Sequence, residues 1–189
     1  IIVKVKKNHE IISPGYRYSK MRCCITLLLV LSCVFGRCQM LLIPMDESQK
    51  NHLKAYGIAY YALQESIDVD WLLNFRGGSF LVPFSTTMEY ECLARGVTVE
   101  RLTESKRTSI LQEISNPSVN MNIVRLEKAP RIGVYSIKNE FVQDETDAVI
   151  AVLDYAEIPY TIMYDDEILQ DKLVLYDWLH LHHEDFTGQ

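Results

Sequence analysis

Arg131-Ile132-Gly133-Val134-Tyr135-Ser136, followed by a helical stretch over 144–157 and by Ile158-Pro159-Tyr160-Thr161-Ile162-Met163-Tyr164, decides the fold of this chain. The first and last pieces are short, β-branched and apolar, as strands are. Between them Ala148, Val149, Val152 and Tyr155 recur at three- and four-residue spacing, which predicts a helix with those four facing inward. Strand, helix and strand of this length imply a right-handed crossover and a parallel pair. A short helical turn over 165–170 and a third strand over 172–181 extend the unit. Parallel sheets are covered on both faces and commonly carry more strands. The sequence therefore reads as the first part of a truncated domain spanning 130–189.

Working outward, Lys128-Ala129-Pro130 marks a boundary, and 39–129 reads as a separate α/β domain. Met40-Leu41-Leu42-Ile43 is a strand closed by Pro44. Asp46 or Ser48 is suited to cap a helix reaching Glu65, with Leu53, Tyr56, Tyr60 and Leu63 on its buried face. Two strands, 69–75 and 79–82, flank the turn Arg76-Gly77-Gly78. Ser85 or Thr86 opens a helix ending at Gly96, and Val97-Thr98-Val99 reads as a strand. Thr103 opens a third helix, stopped by Asn116-Pro117, before a strand over 122–126. The fold class is thus α/β, as two consecutive α/β units, the second an incomplete parallel sheet.

Charge and leader composition bound the partners. The 189 residues carry 19 Lys/Arg and 25 Asp/Glu. Residues 1–38 hold seven of the bases and one acid, so the rest has 12 basic and 24 acidic side chains, a net of −12. Such a surface repels phosphate backbones and argues against nucleic acid. Met21-Arg22 precedes an apolar run from Cys23 to Phe35, too short for the roughly 20 residues of a membrane span. Basic, then apolar, then Gly36-Arg37-Cys38 is the order of a signal peptide over 21–38, cut before Gln39. Residues 1–20 then read as upstream translation or a basic leader. The expected location is the periplasm or cell envelope, without a transmembrane span. Cys92 alone lies outside the leader region, so no disulfide framework is available, and it reads as a buried structural thiol.

Chemistry-bearing side chains gather at the end of the chain. In open α/β sheets ligands bind beyond the carboxyl ends of the strands. The loop 137–143, Asp165-Asp166 and His182-His183-Glu184-Asp185 all fall at that edge. With His180 they form the candidate polar cluster: His180, His182, His183, Glu184, Asp185 and Asp165. His180 and His182 on one strand face stand about 7 Å apart, a spacing that permits a shared metal. His180, His182 and Glu184 are the candidate ligands, and a divalent metal is the one cofactor the residues point to. The plainer reading keeps His180 as a packed strand residue and Asp165-Asp166 as the cap of a helical turn. Arg76, Gly77 and Gly78 form a weak anion-binding candidate through their backbone amides, with a hairpin turn as the plain alternative. No GxSxG, P-loop or GxGxxG motif occurs.

Three motifs carry a family resemblance. They are His52-Leu53-Lys54-Ala55-Tyr56-Gly57-Ile58-Ala59-Tyr60, Trp71-Leu72-Leu73-Asn74-Phe75-Arg76-Gly77-Gly78-Ser79-Phe80, and the run from Tyr176-Asp177-Trp178 to Gln189. From about Leu41 onward the chain resembles an exported bacterial family labelled asparagine synthetase B. A true glutamine-dependent synthetase would have a Met-Cys-Gly start and a Ser-Gly-Gly-x-Asp-Ser loop. Here Met21-Arg22-Cys23 begins a leader and Arg76-Gly77-Gly78-Ser79 lacks the Asp-Ser. The unit from Arg131 resembles the opening of a class I glutamine-amidotransferase-like domain, which implies an incomplete flavodoxin/amidotransferase-like parallel sheet here, its nucleophile elbow following a later strand. No catalytic residue carries over. The resemblance implies an envelope protein whose amidotransferase-like unit is a binding or scaffolding module for an unknown ligand or envelope protein. Glutamine-dependent amide transfer is the alternative, and metal-dependent hydrolysis through His180, His182 and Glu184 the third reading.

Overall fold

The computed structural model describes residues 39–136 and 148–181. The predicted leader, the loop 137–143 and the run from His182 to Asp185 lie outside the described residues. The chain is mixed α/β with two sheets, both within one compact unit.

The first sheet contains β1 (Met40–Ile43), β2 (Val69–Leu73), β3 (Ser79–Pro83), β4 (Glu100–Leu102) and β5 (Asn122–Leu126), in the order β4-β1-β3-β2-β5. Every pairing in it is antiparallel. Three helices accompany it: α1 (His52–Gln64), α2 (Thr86–Ala94) and α3 (Glu104–Ile114). All four residues of β1 are buried, because the strand is covered on both faces. Leu41 and Ile43 join Ala55, Ile58, Ala59 and Ala62 of α1 and Met88 and Cys92 of α2. Met40 and Leu42 meet Leu72, Leu81, and Ile110 and Ile114 of α3 on the other face. The unbroken apolar run in the sequence thus marks a strand sandwiched between layers.

Each helix starts on a side chain that accepts from the backbone three residues on. Asn51 takes the N–H of Lys54 at 3.1 Å, Ser85 that of Met88 at 3.0 Å, and Thr103 that of Lys106 at 3.3 Å. Ser85 and Thr103 match the sequence reading. Asn51 replaces the expected Asp46 or Ser48, because those two side chains are engaged by Arg76. The buried face of α1 also differs from expectation. Leu53 and Tyr56 are exposed, while Ala55, Gly57, Ile58, Ala59, Ala62 and Leu63 are buried. Layers approach this helix from two sides, so small residues occupy positions where a one-sided amphipathic helix carries large ones.

Residues 97–99 are not a strand. Thr98 is held instead by the buried side chain of Gln49, whose Oε1 accepts from Thr98 N at 2.8 Å and whose Nε2 donates to Thr98 O at 3.2 Å. The same amide donates to Pro44 O at 2.9 Å and accepts from Asn51 N at 3.3 Å. One side chain does the work of a neighbouring strand, and the ladder to β1 begins only at Glu100.

The second sheet holds β6 (Ile132–Tyr135), β7 (Thr161–Met163) and β8 (Trp178–Leu181), with α4 (Ala148–Ala156), α5 (Asp165–Leu169) and a 3₁₀ helix over Lys172–Leu175. Its order is β7-β6-β8 and both pairings are parallel. Second, first, third is the order that opens a flavodoxin-type sheet. Ile132 and Val134 pack with Leu153 of α4, and Tyr60, Val149 and Tyr160 lie against them. Val152 and Tyr155, expected inward, are exposed, and Leu153 and Ala156 are buried in their place. On the opposite face neighbouring side chains close over Gly133. A Cβ there would stand 2.9 Å from the Met163 sulfur, with Leu179 and Tyr176 beside it. The third strand is shorter than the expected 172–181, since Asp171 turns left-handed at φ 58° and the chain coils before Trp178.

The sheets meet through α1 and α4. Gly57 faces the end of α4 so closely that a Cβ would sit 1.9 Å from the Ala156 carbonyl oxygen. Around that contact Glu157 pairs with Lys54 and, at 3.2 Å, with Arg95. Asn51 Nδ2 donates to the Tyr155 hydroxyl at 2.7 Å, and Tyr60 donates to Pro130 O at 2.7 Å.

Candidate functional site

The carboxyl edge of the parallel sheet is where the sequence places a ligand. Connections leave β6 toward β7 on one side and return to β8 on the other, so the chain direction switches between β6 and β8. Two described side chains are joined at that edge. Tyr135, the last residue of β6, donates its hydroxyl to Asp165 Oδ1 at 2.7 Å. Asp165 is not the cap it was expected to be. It is the first residue of α5, capped by Tyr164, whose N–H is taken by Glu167 Oε2 at 3.0 Å. Asp165, Asp166 and Glu167 fill the first turn, where carboxylates complement the helix dipole.

His180 lies on β8, opposite Val134 in register, and is half-buried. Neighbours in a parallel ladder share a face, so its side is that of Val134 and α4. His182, His183, Glu184 and Asp185 lie outside the described residues. Among the described residues no group of three or more His, Cys, Asp or Glu side chains is placed to hold a metal ion. Among them, too, no helix is long and apolar enough to cross a membrane.

The turn at Arg76-Gly77-Gly78 is built of left-handed backbone: Asn74 at φ 60°, Arg76 at 46°, Gly77 at 81° and Gly78 at 93°. Gly77 is required sterically, since a Cβ there would lie 2.3 Å from Met45 O. Arg76 is clamped by carboxylates on two sides. Its Nε donates to Asp46 Oδ2 at 2.6 Å, its Nη1 to Glu100 Oε1 at 2.8 Å and its Nη2 to Ser48 Oγ at 3.0 Å. Sequence inspection gave no sign of these partners, which are 30 and 24 residues away.

This clamp makes a pH prediction. The bond from Arg76, then that from Ser48, holds the Asp46 carboxyl well below its ordinary 3.8. A depressed folded-state value means the stabilisation is complete above pH 3.8 and is lost as pH falls below it. Thermal melts of Arg76→Gln should therefore show a shallower loss of midpoint below about pH 4 than the parent chain. Parallel curves would mean that the clamp contributes nothing.

Cys92 is fully buried on α2, and burial pushes its thiol up to about 12. A thiol held protonated in a core is a packing group, not a nucleophile. No protein-family model, no curated protein and no solved structure matches this chain.

Proposed function

We propose that this chain is an exported cell-envelope protein in which the parallel α/β unit is a binding or scaffolding module, as in the exported family labelled asparagine synthetase B. The observation that supports a binding role best is the switch in chain direction between β6 and β8, with the Tyr135–Asp165 hydrogen bond beside it at the carboxyl ends of β6 and β7. Crevices of this kind are where doubly wound sheets take ligands. The basic, apolar and small-residue order at 21–38 supports export.

Expression of the whole sequence in a Gram-negative host, with fractionation and intact-mass measurement, tests the reading. The expected product is periplasmic and begins at Gln39. A cytoplasmic product that retains Met21 would sink it. Ammonia release from L-glutamine by the purified protein would turn the reading to the amide-transfer alternative.

A further inference from the structure

At the opposite, amino-terminal edge of the parallel sheet lies a cleft of about 420 Å³. That volume is within the range of small-molecule sites, roughly 300–1,000 Å³. Tyr60, Tyr160 and Tyr176 line it with Arg131, Thr161 and Leu175. Three different segments deliver the tyrosines: α1, the approach to β7 and the approach to β8. All three are half-buried, so each combines ring surface with a polar tip.

The charges around this cleft narrow its ligand. Arg131 is committed to Asp177: its Nε donates to Oδ2 at 3.0 Å, its Nη2 to Oδ1 at 3.4 Å and its backbone N–H to Oδ2 at 2.8 Å. Lys128 reaches the same carboxylate at 3.3 Å. Outside the cleft, Asp154 of α4 accepts from the Tyr160 hydroxyl. Arg131 is thus the one charged side chain among the lining residues, and Asp177 balances it from behind. An anionic ligand would have to displace Asp177 from Arg131, and a cationic one would meet the guanidinium. A neutral ligand meets neither obstacle. Aromatic faces favour a ring with a C–H surface, and the phenol oxygens as acceptors and the remaining guanidinium N–H groups as donors suit hydroxyls.

We infer that the cleft formed by Tyr60, Tyr160, Tyr176 and Arg131 is a carbohydrate site, sized for a neutral mono- or disaccharide. The ring stacks on a tyrosine, and its hydroxyls bond to Arg131, which Asp177 holds in place. This inference uses the edge of the sheet opposite the Tyr135–Asp165 hydrogen bond and does not rest on the function proposed there.

Saturation-transfer NMR on the whole chain, with glucose, N-acetylglucosamine, maltose and cellobiose, tests it directly. Choline and citrate serve as cationic and anionic controls. Saturable transfer to at least one sugar is expected, unchanged in 0.5 M salt, on the order of tenfold weaker in Tyr160→Ala and in Tyr176→Ala (each tenfold being about 1.4 kcal/mol). Circular dichroism establishes that the variants are folded. Absence of transfer to every sugar in the parent protein overturns the inference without any variant. So does preference for choline or citrate, or equal sugar binding in folded variants.

Discussion

Alanine at position 57 should lower the unfolding midpoint by roughly 6–12 °C, the shift expected from about 3 kcal/mol of overpacking in a protein of this size. Helix propensity alone demands the opposite sign, since alanine in a helix interior is favoured over glycine by about 1 kcal/mol. The close approach decides between them. A methyl at Gly57 would overlap the Ala156 carbonyl, a backbone atom that cannot rotate away. Relief requires the end of α4 to move, and with it the bonds of Tyr155 to Asn51 and of Glu157 to Lys54. A thermal melt of Gly57→Ala with an equal or higher midpoint would show that α1 and α4 do not touch as described.

Gln49→Leu should cost about 3 kcal/mol in urea unfolding, because it leaves buried backbone donors and acceptors without partners. The parent amide meets Pro44 O, Thr98 O, Thr98 N and Asn51 N at once, and its residue is only 5% exposed. Leucine fills the volume and satisfies none of the four. Gln49→Glu separates the halves of the network. A carboxylate still accepts from Thr98 N and Asn51 N but offers nothing to the two carbonyls. It should not restore the parent stability. A Gln49→Leu chain as stable as the parent would mean that water replaces the amide.

The parallel unit was legible because its signals are local. An apolar strand, a helix-length spacing and a second apolar strand admit few topologies, and β6, α4 and β7 occupy those segments. The direction of the first sheet was not legible. Strands and helices alternate there too, yet every pairing is antiparallel, and alternation says nothing about which edge a returning strand joins. The helix start at Asn51 was missed because Asp46 and Ser48 are equally good caps by type. Only the distant Arg76 shows that they are occupied. The inward face of α1 was misread for a physical reason. Periodicity locates a single apolar stripe, whereas α1 is packed by the sheet on one side and by α4 on another. Asp165 was singled out by sequence, but its partner Tyr135 became visible only when the parallel register brought the ends of β6 and β7 together.

The doubly covered helix also bears on how this sequence can drift. In a helix with one buried stripe, the outer half of the residues varies almost freely. In α1, the residues that face the antiparallel sheet must keep their mix of alanines with Ile58 and Leu63, the residue under α4 must have no side chain at all, and Tyr60 must still reach Pro130. Two neighbours read the same thirteen residues along different faces. Substitutions that suit one are vetoed by the other, so α1 should change more slowly than either surface it joins.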